Sequence, residues 1–160
     1  MTACNGESSA KWKQGARFPD VELSSLEGTT VSLAAFSGTS LILNFWASWC
    51  DPCRREMPSL QKLSTLFSPG DLLVVGINVD SDINLAREFI LNNRLTFPML
   101  SDKDMKLSNE ILRIPGFPMT YLLTRERTIA RIVVGARNWV EPQSIEEIES
   151  LLKVRRIKTV

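Results

Sequence analysis

Two continuous apolar runs constrain this chain most: "LILNFW" (residues 41–46) and "LLVVGINV" (72–79). A strand with one wet face alternates apolar and polar residues. A run of strand length that does not alternate reads as a strand buried on both faces, as in the parallel sheets of α/β proteins. Between the runs, Met57, Leu60, Leu63 and Phe67 recur at helical spacing, and "SPGD" stops the pattern.

The flanking segments extend this reading. "VELSSLEGTTVSL" (21–33) holds two short strands around a Glu27-Gly28 turn, a hairpin. "INLAREFILNN" (83–93) is a helix whose apolar stripe runs through Leu85, Ala86, Phe89 and Ile90. "TFPML" (96–100) reads as a strand and "DMKLSNEILR" (104–113) as a short helix through Leu107 and Ile111. "MTYLL" (119–123) and "TIARIVVG" (128–135) are strands joined by a tight turn, and "EPQSIEEIESLLKVRR" (141–156) is a closing helix. Ile145, Ile148, Leu151 and Leu152 form its apolar face. No repeat or linker divides the chain, which predicts one α/β domain over residues 18–160 with a mostly parallel centre. Residues 1–17 are polar and aperiodic, a flexible tail or tether.

Composition excludes several functions. The chain has no histidine, so Ser-His-Asp and Cys-His nucleophilic catalysis are out, as are the commonest zinc sites. Three cysteines, Cys4, Cys50 and Cys53, cannot make a four-cysteine zinc site or a disulfide framework. Lys and Arg number 19 against 18 Asp and Glu, a net charge of +1 that gives no electrostatic reason to expect a nucleic-acid partner. No apolar run approaches the ~20 residues that span a bilayer.

The chemistry concentrates in "FWASWCDPCRREMP" (45–58), where Cys50 and Cys53 follow the first buried run and open a helix. A C-x-x-C pair can be half of a metal site, a staple or a redox dithiol. Further metal ligands are missing, and Arg54 stands where haem attachment requires histidine. A staple across two residues closes too short a loop to stabilise much. Position favours the redox reading. Pro52 suits a first helical turn, whose positive dipole end and free N–H groups stabilise a thiolate at Cys50. Cys53, one turn inward, is placed to resolve a mixed disulfide. Asp51 acts the other way, raising the Cys50 pKa, and Trp49 is expected to shield the site.

"LNFWASWCDPCRREMP" together with "IPGFPMTYLL" resembles thioredoxin-fold proteins, and among them the TlpA/ResA-like thiol–disulfide oxidoreductases. The likeness runs from about residue 18 to 155 and takes in the leading hairpin and an inserted strand–helix unit near 72–95. It implies a central mixed sheet flanked by helices, with no cofactor and no metal. Pro118 is then the cis-proline facing the dithiol, and the backbone of Phe117 pairs with an extended client chain. Glu56 and Pro58 match the family's continuation after the second cysteine, and Pro58 should kink the helix.

Two positions depart from related patterns. Asn44 stands where thioredoxin has a buried aspartate, as is usual in the subfamily. Ser81 stands where ResA-like members often carry a glutamate, which leaves Asp80, Asp82 or Glu56 as the alternative carboxylates near the dithiol. A peroxiredoxin, the sharpest structural rival, needs a proline and a threonine where Leu43 and Ala47 stand. "MTACN" resembles the end of a bacterial lipoprotein signal, which makes Cys4 either a lipid-bearing residue or an incidental thiol.

The likeness implies a monomeric reductant on the periplasmic or other extracytoplasmic face of a bacterial membrane, with a role in cytochrome c maturation. Protein disulfides such as those of apocytochrome c would be its clients, and a membrane thiol carrier of the CcdA/DsbD kind its electron donor. The alternatives are a docking module for extended chains and an oxidising, DsbA-like dithiol.

Overall fold

The structure, a computed structural model, describes residues 11–160; Cys4 lies outside them. Seven strands form one sheet: β1 (Glu22–Ser25), β2 (Thr30–Ser32), β3 (Ser40–Trp46), β4 (Leu72–Asn78), β5 (Met99–Ser101), β6 (Met119–Leu123) and β7 (Ile129–Val134). Their spatial order is β2-β1-β5-β4-β3-β6-β7. β3 lies parallel to β4 and antiparallel to β6, and β4 lies parallel to β5. The centre is thus parallel and the flanks antiparallel, the mixed sheet expected from the resemblance.

The apolar runs are buried on both faces, as their lack of alternation requires. All seven residues of β3 are buried. Leu41, Leu43 and Phe45 point into one core with Phe18, Leu33 and Tyr121. Ile42 and Trp46 point into the other, beneath α1 (Asp51–Ser64), α2 (Ile83–Asn92) and α3 (Pro142–Leu152). Gly76, mid-β4, is required by this packing: a Cβ there would lie 2.3 Å from Met99 Sδ and 3.1 Å from Trp46 Nε1.

The elements depart from expectation in three places. Leu85 is 48% exposed, so the buried stripe of α2 is Ala86 with Phe89 and Ile90 packed beside it. The segment after β5 forms one wide turn over Lys106–Ile111 with a Leu112 N–H to Leu107 O bond of 2.8 Å. Asp102 holds its start by accepting from Leu107 N and Ser108 N, an alternative to an ordinary helical first turn that periodicity does not register. Finally, the N-terminal segment docks before residue 18. Gly15 N donates to Ile129 O, Ile129 N to Ala16 O and Phe18 N to Arg127 O, each at 2.8 Å. Trp12 Nε1 donates to Ile111 O at 2.8 Å. These bonds move the start of the docked chain, among the described residues, to Trp12. Among the described residues no helix is long and apolar enough to cross a membrane.

Candidate active site

The carboxyl end of β3 delivers the chain directly into α1, and the dithiol sits at that junction. Cys50 is the cap of α1, with extended backbone (φ −93°, ψ 107°), and its sulfur accepts the Cys53 N–H at 3.3 Å. Pro52 fills the first turn, where its missing N–H leaves no bond unmade. The two sulfurs are joined in a disulfide with Cα atoms 5.3 Å apart. Cys50 retains 6% exposure and Cys53 none. Asp51 is exposed and paired with Arg55 one turn on, so part of its field on Cys50 is offset.

The turn before Cys50 is clamped from β4. Asp80, 1% exposed, accepts from Ser48 N at 2.9 Å, Ser48 Oγ at 2.8 Å and Asn78 Nδ2 at 2.7 Å. An amide at 80 has a single acceptor oxygen for three donors. Asp80→Asn is therefore expected to lower unfolding stability by about 1–3 kcal/mol in urea titrations, the range for an unsatisfied buried group.

Trp49 projects outward, 64% exposed, with its ring edge-on to Phe117 at 6.1 Å between centroids. Most of its surface is in water, so it is not packed down as a shield over Cys50. Phe117–Pro118 is the cis peptide bond, as the resemblance implied. Pro118 O accepts from Gly135 N at 3.0 Å, which brings the end of β7 and its exposed Val134 alongside. That neighbourhood was not foreseen, since nothing in "IVVGAR" marks it.

Glu56, one of the three carboxylates named as alternatives near the dithiol, is 2% exposed, inside the core beside β3. It accepts from Asn44 Nδ2 at 2.7 Å on Oε1, and from Trp139 Nε1 at 2.9 Å and Arg137 N at 3.2 Å on Oε2. Asn44 Nδ2 also donates to Thr120 Oγ1 at 2.9 Å. Burial raises the Glu56 pKa above its ordinary 4.5, against the lowering effect of those three bonds and the Arg137 guanidinium. Cys53 and Glu56 are three residues apart, on one face of α1. Trp139 was not singled out from the sequence; a tryptophan isolated in polar "ARNWVE" was its only signal. Asp82, the third carboxylate considered, is exposed and caps α2 through Asn84 N.

A dithiol at a helix start, one cysteine slightly exposed and one fully buried, on this sheet with a cis-proline before β6, defines a thiol–disulfide oxidoreductase of the thioredoxin fold. The chain belongs to the AhpC/TSA family, whose profile matches residues 14–132. The thioredoxin-like protein YneN of Bacillus subtilis is 38% identical over 126 residues, 77% of this chain and 72% of that protein. The thiol-disulfide oxidoreductase ResA of Oceanobacillus iheyensis is 33% identical, covering 78% and 67%. Among solved structures, the thioredoxin domain of a Bacteroides vulgatus thiol-disulfide oxidoreductase superposes with a TM-score of 0.74 at 25% identity, covering 88% of this chain and 98% of that one. StoA from Bacillus subtilis gives 0.62 at 28% identity, covering 74% and 90%.

Proposed function

We propose that the protein is a reductant of protein disulfides in the bacterial envelope. In the reduced protein the Cys50 thiolate attacks a client disulfide held against Trp49 and Phe117, and one client thiolate leaves. Cys53 passes its proton to Glu56, and its thiolate attacks the Cys50 sulfur of the mixed disulfide. The second client thiolate leaves as the Cys50–Cys53 bond closes. Two electrons reach the client, and a membrane thiol carrier of the CcdA/DsbD kind restores the dithiol. Clients include the cysteines of apocytochrome c. The envelope location and these partners rest on the ResA-type likeness.

The observation that carries the direction is the pair of carboxylates around the dithiol. Asp51 lies between the cysteines and Glu56 is buried one turn beyond Cys53. Strong oxidants of this fold owe their high potential to a stabilised reduced form. The Asp51 charge, only part-offset by Arg55, and the Glu56 charge when ionised disfavour such thiolates. The midpoint potential, measured in a dithiothreitol or glutathione buffer series with Cys4 changed to serine, is expected at or below thioredoxin's value of about −270 mV. A value above roughly −150 mV, close to that of the oxidant DsbA, would overturn the assignment.

A further inference from the structure

Cys53 is fully buried and Glu56 nearly so, and a client docked against Trp49 and Phe117, as proposed above, would cover that side. A proton placed on Glu56 during the resolving step therefore needs another way out. Behind α1 lies a cleft of about 510 Å³ lined by Glu56 itself, Pro58, Ser59, Lys62, Ala136 and Arg137, among others. It shares no residue with the Trp49, Cys50, Phe117 and Pro118 surface. We infer that this cleft is the proton exit of the dithiol, opening to solvent on the flank of the helix while the client occupies the other side. The inference rests on Glu56 as the acceptor of the Cys53 proton.

Pro58 lies inside α1 with no N–H to donate to the Arg54 carbonyl, and it forms part of the cleft wall. The facing wall is the loop after β7, whose Arg137 N–H is bonded to Glu56 Oε2. Glu56 thus lies between the core and the cleft. Space of this size admits several waters in a polar setting.

The charges facing Glu56 come from few elements. α1 contributes Arg55 and Lys62 at the cleft, and the loop after β7 contributes Arg137. Arg137 is itself paired with Glu147 of α3, at 3.6 Å. β3 and β6 present only the neutral Asn44 and Thr120. A basic rim draws anionic proton acceptors and repels cationic ones. The step balances simply. Cys53 thiol and Glu56 carboxylate become thiolate and carboxylic acid, the thiolate closes the disulfide, and the acid returns its proton to water or a buffer base in the cleft.

The test follows the resolving step by stopped flow, with the reduced protein mixed with a saturating peptide that carries one disulfide. Lys62→Phe places a ring at the mouth of the cleft, and Lys62→Gln removes the charge without filling space. The first is expected to slow resolution about tenfold, less than the roughly 10²–10⁴ that general base catalysis contributes in full, with an unchanged midpoint potential. The second keeps the cleft open and, with Arg55 and Arg137 still on its rim, is expected to slow resolution much less than the first. Phosphate should speed the native protein more than imidazole at equal pH and ionic strength, and Lys62→Phe should abolish that difference. A native rate for Lys62→Phe beside a slow Glu56→Gln overturns the exit and leaves the acceptor standing. A native rate for Glu56→Gln removes the acceptor and the exit together. Equal slowing by Lys62→Gln and Lys62→Phe assigns the effect to charge and also overturns the exit.

Discussion

Cys53→Ser is expected to stop exchange halfway and leave a client covalently bound through Cys50. The surface sulfur still sits at the amino end of α1, where N–H groups and the dipole favour its thiolate, so the first displacement proceeds. A serine hydroxyl at the fully buried position cannot attack a disulfide, so the mixed disulfide has no internal route to resolution. Non-reducing electrophoresis after mixing with a disulfide-bearing protein should show a band that dithiothreitol dissolves. Turnover should fall on the order of 10³-fold or more, as for removal of other nucleophiles. Cys50→Ser should lose turnover equally and form no adduct. Client binding that survives Cys50→Ser, with no adduct from Cys53→Ser, would instead describe a docking module.

Glu56→Gln is expected to separate stability from rate. Burial holds the Glu56 carboxyl above 4.5, so between that value and the native pKa the folded chain binds more protons than the unfolded chain. The proton's stabilising contribution is therefore complete below about pH 4.5 and is lost as pH rises through the native pKa. Glutamine carries no charge to desolvate. It can keep Trp139 and Arg137 as donors on its oxygen, and its amide can face Asn44 turned over. Asn44 Oδ1, unpartnered among the described residues, then accepts from it. Chemical denaturation should show Glu56→Gln more stable than the native protein by roughly 1–2 kcal/mol near neutral pH. The gap should close as the pH approaches about 4.5, where both side chains are neutral. The resolving step should meanwhile slow by about 10²-fold, since an amide takes no proton. A gap that widens toward acid would mean that the carboxyl is held below its ordinary range.

The sheet was legible because its central strands are buried on both faces, and unalternating runs of strand length such as "LILNFW" favour that reading. The dithiol was legible for a related reason: its surroundings are local, a strand end, a first-turn proline and two residues of spacing. What escaped was set by contacts across long sequence separation. Glu56 looked like any helical carboxylate until Trp139 and Arg137 came down on it from 83 and 81 residues away. Asp80 was likewise ambiguous, because its partner Ser48 lies on a different crossover. Leu85 misled in the opposite sense: it fits the helical stripe of α2, yet it lies largely in water.

The strap formed by Gly15 and Ala16 has a consequence for anyone who trims the chain. β7 is the last strand of the sheet, and the strap occupies the Ile129 N–H and C=O that would otherwise face outward. A version cut at Phe18, where the apolar pattern begins, would keep every residue of the dithiol and its carboxylates. It would also bare the start of an edge strand able to recruit a strand from a neighbouring molecule. The segment that looks dispensable is the sheet's guard against self-association.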